Sequence, residues 1–276
     1  MPDQVPDLQA GLTYWENTSA TLDGVLGGFG SGTLPRIDSL GSRQFLQSLL
    51  PYLCTVPSVL RPLQAPGYRN PSYRTRALDV GAGIGRVTSD VLLHQFDDVV
   101  MLEPVSKFVD EAKRVCEAGK WKGITKDSST KSVTFLTRAL QSFDPVKSAM
   151  EQGGERVGCQ APFEEGYDVV WCQWTLGHLS DADLVLFFQR AQRSLRKSPL
   201  KNDAKDSGYI VVKENVDRDA PDGKPAVVFD EEDSSVTRSN SKWLEIFRDA
   251  GLTLVREKVQ RGLPEGIYQV KMYALR

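Results

Sequence analysis

One segment constrains the fold more than any other: an apolar strand that runs directly into a glycine-rich turn and then into a helix. Residues 77–80 read ALDV, residues 81–86 read GAGIGR, and apolar side chains recur through residues 87–96. A strand that enters a helix through such a turn opens a βαβ unit. The pattern therefore predicts a parallel α/β sheet, with a helix over residues 87–96.

Strands and helices alternate along the rest of the chain. Apolar runs predict strands at residues 99–102, 133–136, 167–172 and 209–212, and helices over about 107–118, 182–195 and 243–250. Residues 252–257 and 267–275 are expected to form a closing antiparallel hairpin. The predicted fold is a Rossmann-like α/β sheet, mostly parallel with an antiparallel C-terminal strand, and with helices on both faces.

The chain is expected to form a single globular unit. Residues 1–50 carry few strand signals and contain a glycine-rich run, GGFGSG at 27–32, so we expect an N-terminal helical extension with a substrate-cleft loop. Residues 51–276 are expected to form the main domain. Three segments between elements, 52–75, 147–166 and 197–208, are predicted to be surface insertions.

Composition excludes several classes of protein. Among 276 residues, 34 basic and 36 acidic side chains give a net charge of −2, which argues against a partner recognised through nucleic-acid phosphates. The four cysteines show no CxxC spacing and the two histidines lie far apart, so neither a metal site nor a disulfide framework is expected. We expect no membrane segment and no secretory signal, and hence a cytoplasmic location, with a nuclear share left open.

The glycine turn predicts a site for a nucleotide-like cofactor, because glycine lets backbone N–H groups approach a ligand closely. The turn places Gly81, Gly83 and Gly85 in alternation and puts Arg86 where the dinucleotide fingerprint has its third glycine. Arg86 could instead pair with a carboxylate, such as that of S-adenosylmethionine (AdoMet). Glu103, at the end of the second strand, could accept hydrogen bonds from ribose hydroxyls. Taken singly, each feature is also compatible with an ordinary turn or a solvated side chain.

Polar residues follow the fourth and fifth strands, at the sheet edge where α/β proteins bind ligands. Residues 171–178 read WCQWTLGH, so His178 is either a base near neutral pH or a hydrogen-bonded histidine at a helix entry. Asn215 either points an amide into the cleft or forms a turn. The acidic run 230–233, DEED, is either a solvated loop or a site that captures a cationic substrate.

These motifs together resemble the eukaryotic protein α-N-terminal methyltransferases, a class I AdoMet-dependent family, over nearly the whole chain. The GAGIGR turn is common to many methyltransferases, whereas the blocks around Gln173-Trp174, Gly177-His178-Leu179 and Asp233-Ser234-Ser235 are more specific. Further matches are Tyr14-Trp15, LDGVLGGFG at 22–30, Leu140-Gln141, KEN at 213–215, DEEDSSVTR at 230–238 and residues 263–276. Glu103 and Phe29 depart from the Asp and Tyr found in relatives.

The resemblance implies AdoMet as cofactor, and it implies a role for each matching residue. The cofactor residues would be Gly81, Gly83, Gly85, Arg86, Glu103, Pro104, Val105, Leu140, Gln141 and Gln173. The peptide cleft would be formed by Trp15, Leu26, Trp174, Asp233, Ser235 and Tyr268. Asp230, His178 and Asn215 would be catalytic.

The family implies methylation of protein N-termini with proline second and Lys or Arg third, exposed after removal of the initiator methionine. We hypothesise that Asp230 and His178 accept the proton of the α-amine, Asn215 holds the first carbonyl, and Asp233 pairs with the third-position cation. Ribosomal proteins are typical substrates of the family, and a monomer is expected. Two alternatives stay open: a class I methyltransferase for small molecules and a cofactor-binding scaffold without catalysis.

Overall fold

The computed structural model describes residues 5–54, 73–125, 128–161, 166–197 and 208–276. The N-terminal segment is helical: α1 (Leu8–Asn17), α2 (Leu22–Val25) and α3 (Leu34–Leu49), followed by a 3₁₀ turn at Pro51–Leu53. Asp7 caps α1 by accepting a hydrogen bond from the backbone N–H of Ala10 at 2.7 Å. Within the described part of the chain, no helix combines the length and apolarity needed to cross a membrane.

Among the described residues, ten strands form one sheet, which is the body of the molecule. Its strands are β1 (Arg76–Val80), β2 (Asp98–Glu103), β3 (Ser132–Thr137), β4 (Glu155–Gly158), β5 (Val169–Gln173), β6 (Tyr209–Asp217), β7 (Val227–Asp230), β8 (Ser235–Ser239), β9 (Leu254–Val259) and β10 (Gln269–Leu275). The order is β4-β3-β2-β1-β5-β6-β10-β9, and β8 joins the end of β6 and pairs with β7. Strands β1, β2, β3, β5 and β6 are parallel, whereas β4, β9 and β10 pair with their neighbours in antiparallel fashion.

Helices cover both faces of the sheet. They are α4 (Arg86–Asp90), α5 (Ser106–Glu117), α6 (Asp181–Arg193) and α7 (Asn240–Asp249). Side chains alternate along β1, so that Ala77 packs into one apolar core while Leu78 and Val80 pack into the other. The predicted fold class, a mostly parallel Rossmann-like sheet with an antiparallel C-terminal strand, is confirmed.

The structure differs from the sequence prediction at two elements. The helix expected over residues 87–96 is only the five residues of α4, and a separate 3₁₀ turn at Leu92–His94 follows it. The segment 147–166, predicted to be a surface insertion, contributes β4 to the edge of the sheet, where it pairs with β3. Most of the other two predicted insertions, 55–72 and 198–207, lies outside the described residues.

Candidate active site

A cavity lies over the glycine turn, at the carboxyl ends of β1, β2 and β5. Its wall includes all but one of the residues that the sequence assigned to the cofactor: Gly81, Gly83, Arg86, Glu103, Pro104, Val105, Leu140, Gln141 and Gln173. Gly85 is not among the lining residues. A Cβ atom at Gly85 would lie 2.6 Å from the Trp121 ring, so this glycine allows the turn to pack on the core beneath it.

The turn itself has the left-handed backbone that favours glycine. Gly81 has φ +62° and Gly83 has φ +56°. A Cβ atom on Gly81 would lie 2.0 Å from Oγ1 of Thr175, so a larger residue would displace the segment that follows β5. The wall of the cavity therefore requires a residue without a side chain at position 81.

Glu103 shapes the floor of the cavity through its carboxylate. Oε2 accepts a hydrogen bond from the backbone N–H of Gly83 and Oε1 accepts one from that of Val105, both at 2.9 Å. Burial raises the pKa of Glu103 to about 7, against the opposing effect of these hydrogen bonds. The side chain thus fixes the glycine turn and lines the cavity beside it.

A buried ionic cluster, which sequence reasoning missed, lies beside this cavity. The Asp38 carboxylate is fully buried and lies 2.6 Å from Nη1 of Arg86 and 2.5 Å from Nζ of Lys213. Nε2 of Gln173 donates to both Asp38 oxygens at 3.0 Å. Two cations around one carboxylate leave an excess positive charge at the cavity wall, which suits the carboxylate of AdoMet.

A second cavity opens where β5 and β6 separate. Their pairing ends at Gln173 and Lys213, and β8 joins β6 only from Val216. The predicted peptide-cleft residues all line this gap: Trp15, Leu26, Trp174, Asp233, Ser235 and Tyr268, together with His178 and Asn215. The two cavities share a wall formed by Trp15, Val25, Leu26, Trp174 and His178.

His178 stands in that shared wall under helix α1. Nε1–H of Trp15 donates to Nε2 of His178 at 3.0 Å, so this nitrogen is a hydrogen-bond acceptor. Burial lowers the pKa of His178, although the charge of Asp233 acts in the opposite direction. A Cβ atom on Gly11 would lie 3.2 Å from Nδ1 of His178, which explains why a glycine faces the ring from α1.

The two acidic residues that were given chemical roles occupy different places on the β7–β8 hairpin. Asp233 is half-buried in the second cavity, with Oδ2 at 3.9 Å from Nε2 of His178. Asp230 is exposed at the end of β7 and does not line either cavity; its Oδ1 accepts a hydrogen bond from the backbone N–H of Glu232. The assignment of the proton acceptor to Asp230 therefore disagrees with the geometry, because the turn directs Asp233 inwards and Asp230 outwards.

The second cavity carries buried polar atoms that have no hydrogen-bond partner among the described residues. These atoms include Nε1 of Trp174, Nε1 of Trp243, Oδ1 of Asn215 and Oδ1 of Asp233. Buried polar groups are rarely left unpaired unless a ligand or water completes them. The arrangement offers both donors and acceptors to a polar ligand at the shared wall.

Glu214 holds the segment that carries Trp174 and His178. Its Oε1 accepts hydrogen bonds from the backbone N–H groups of Thr175 and Leu176, both at 2.9 Å. Trp174 has φ +51°, a conformation that a bulky residue adopts only when its surroundings enforce it. Glu214 is thus a positioning residue that sequence reasoning passed over, although a charged residue inside an apolar strand is a recognisable signal.

The N-terminal segment covers the site and is held in place by two contacts. The backbone N–H of Asp7 donates to Oγ of Ser234 at 2.9 Å, and Nζ of Lys107 donates to the carbonyl of Glu16 at 2.6 Å. These contacts tie α1 to the β7–β8 hairpin at one end and to α5 at the other. Val25 and Leu26 of the following loop then reach into both cavities.

Comparison with known proteins identifies the family. The family model of the AdoMet-dependent proline di-methyltransferases matches residues 4–276. The chain belongs to this family. It is 37% identical to the alpha N-terminal protein methyltransferase 1 of Arabidopsis thaliana, over 96% of this chain and 78% of that protein. It is 34% identical to the N-terminal Xaa-Pro-Lys N-methyltransferase 1 of Rattus norvegicus, over 96% of this chain and 92% of that protein.

Solved structures agree with the family assignment. A SAM-dependent methyltransferase from Leishmania major superposes with a TM-score of 0.68 at 29% identity, covering 97% of this chain and 82% of that one. The protein is therefore an AdoMet-dependent methyltransferase, as the resemblance in sequence predicted. A methyltransferase from Burkholderia thailandensis that acts on 1,6-didemethyltoxoflavin, solved with S-adenosylhomocysteine, shares only the fold, with a TM-score of 0.57 at 15% identity, covering all of this chain and 92% of that one.

Proposed function

We propose that this protein methylates the α-amino group of protein N-termini that carry proline second and Lys or Arg third. The observation that carries the proposal is the wall shared by the two cavities, because the second cavity holds buried polar atoms without a partner beside it. The relatives named for N-terminal and Xaa-Pro-Lys methylation support the same substrate class.

The chemistry needs a neutral amine aimed at the cofactor. An α-amine with a pKa of about 7.7–8.0 is roughly one-tenth neutral at pH 7, so a mild base is sufficient. Asp233 accepts the proton through its unpaired Oδ1, while its Oδ2 faces the neutral His178 ring. When bound, AdoMet supplies the electrophilic methyl group. Asn215 then holds the first residue of the substrate, since its amide can turn either end towards it.

The other substrate residues meet surfaces of matching chemistry. The second-position proline packs against Trp174, Trp15 and Leu26, which together make the apolar wall of the cleft. Its ring fixes φ, so less conformational freedom is lost on binding. The third-position cation lies outside the cleft, at the exposed acidic turn. Asp230, the last residue of β7, is exposed to solvent there.

We propose ribosomal proteins among the substrates and a monomer as the working form.

Mass spectrometry of a peptide beginning Ser-Pro-Lys, incubated with the protein and AdoMet, tests the proposal. We expect mass gains of about 14 Da per methyl group on the free peptide and none on the same peptide after N-acetylation. Gain on both peptides would move the target to the lysine side chain. If neither peptide gains mass although AdoMet binding is confirmed, the result would favour a small-molecule methyltransferase or a cofactor-binding scaffold without catalysis.

A pair of variants on one turn tests the assignment of the base. Asp233→Asn should lower kcat by about 10²-fold or more, since it removes the proton acceptor. Asp230→Asn should raise KM for the Ser-Pro-Lys peptide by no more than about fivefold and leave kcat unchanged, because an exposed ion pair contributes at most ~1 kcal/mol. The opposite pattern would return the role of base to Asp230.

A further inference from the structure

The second cavity is lined by a tryptophan that the proposed reaction does not use. Trp243 of α7 lines the cavity although its side chain is only 1% exposed. Its Nε1–H has no hydrogen-bond partner among the described residues. A buried indole N–H in a cavity wall usually finds an acceptor, so this donor indicates a place for a ligand oxygen.

Glu214 lines the same cavity and supplies a complementary acceptor. Both of its backbone hydrogen bonds go to Oε1, which leaves Oε2 available to a donor. An N–H donor and a carboxylate oxygen in one cavity suit a hydroxyl group, because a hydroxyl accepts one hydrogen bond and donates another. A methyl group in the same position would leave both protein groups unpaired.

The backbone segments beside this pair pack closely. A Cβ atom on Gly177 would lie 2.9 Å from the carbonyl oxygen of Val236, so the backbones approach closely here. The Arg238 guanidinium stacks on the Trp243 ring at 5.3 Å and donates to the carbonyl of Leu179 at 2.6 Å. The space therefore suits a small side chain rather than a long one.

We propose that Trp243 and Glu214 form a polar subsite that selects a small hydroxyl-bearing side chain, such as serine, at the first residue of the substrate. The subsite rests on the proposed function, since it places the amine at the wall shared by the two cavities. Asn215 and Glu214 are neighbours in β6, so their side chains point to opposite faces of the sheet, but both line the second cavity. A first residue whose carbonyl is held at Asn215 directs its side chain into the cavity that Glu214 and Trp243 also line.

Matched peptides test the subsite in the full-length protein. One peptide begins Ser-Pro-Lys, and the other begins with 2-aminobutyrate in place of serine, which exchanges the hydroxyl for a methyl group of similar size. We expect kcat/KM of the wild-type protein to favour serine by about tenfold or more, because the analogue leaves a buried donor and acceptor unpaired.

A variant then assigns the preference to the indole N–H. Trp243→Phe keeps an aromatic ring against Arg238 and removes only the donor, so the preference should fall to within about twofold. Trp121→Phe is the matched control, since Trp121 is also buried but lines neither cavity, and it should retain the preference. Affinity for S-adenosylhomocysteine and the Tm report whether each variant is folded.

The outcomes separate this inference from the proposed function. If both peptides are methylated at rates within twofold of each other by the wild-type protein, the subsite is refuted while N-terminal methylation stands. A serine preference that survives Trp243→Phe refutes the role of Trp243. If neither peptide is methylated, the proposed function fails and the subsite fails with it. The wild-type comparison decides the question even if Trp243→Phe does not fold.

Discussion

Replacing Asp38 by asparagine should destabilise the protein strongly, because this carboxylate is the counter-ion of two buried cations. Asp38 and Lys213 are fully buried, and the Arg86 side chain is 7% exposed. Asparagine has nearly the same shape, so the change removes charge without opening a large cavity. Removing one partner of such a buried pair costs about 3–5 kcal/mol of unfolding free energy. For a chain of this length we expect a fall in Tm of roughly 10 °C.

Urea unfolding followed by tryptophan fluorescence at pH 7.5 measures this loss, and a second substitution isolates its cause. Lys213→Met in the Asp38→Asn background returns the net charge of the cluster to that of the wild type, so it should recover a large part of the lost stability. A loss below about 1 kcal/mol for Asp38→Asn, or no recovery in the double variant, would refute the argument from buried charge.

The same cluster predicts a pH dependence with a definite sign. Burial acts to raise the pKa of Asp38, but Lys213 and Arg86 outweigh it and hold the pKa below its usual value. A carboxyl group with a depressed pKa stabilises the folded state above its unfolded pKa of about 3.9, and that contribution is lost as the pH falls through the folded pKa. The stability difference between wild type and Asp38→Asn should therefore be full above pH 5 and shrink below about pH 4.

Three further results are expected. Gly81→Ala should weaken AdoMet binding in calorimetry by more than about tenfold, because the new Cβ would meet the Thr175 side chain in a backbone of positive φ; unchanged affinity would contradict this. Burial raises the pKa of Glu103 to about 7, and we expect its ionised carboxylate to bind AdoMet, so AdoMet affinity should fall about tenfold from pH 8 to pH 6; a flat profile would show that the ionised form is not needed. Glu214→Ala should lower both kcat/KM and AdoMet affinity, kcat/KM by about tenfold or more, because it frees the segment after β5 that lines both cavities; unchanged values of both would contradict this.

Local sequence was sufficient for the parts of the site that lie within one element or at a strand end. The glycine turn and Glu103 follow from a strand, a tight turn and a helix in succession, because the geometry of that unit is set by neighbouring residues. The cleft residues Trp174 and His178 follow in the same way from their place after β5. A fuller reading of α3 could also have found Asp38, since it lies four residues after Leu34 and seven before Phe45, on the buried face of the helix.

The sequence alone determined the class of fold, the cofactor and the family, since each depends on motifs confined to short stretches of chain. The tertiary structure decided which acid of the run 230–233 faces the cleft, because the turn between β7 and β8 directs Asp233 inwards and leaves Asp230 in solvent. It also decided the partners of Asp38, which lie 48 residues away at Arg86 and 135 residues away at Gln173. Such contacts are set by the docking of α3 on the sheet edge, and no local pattern encodes a distance between elements so far apart in the chain.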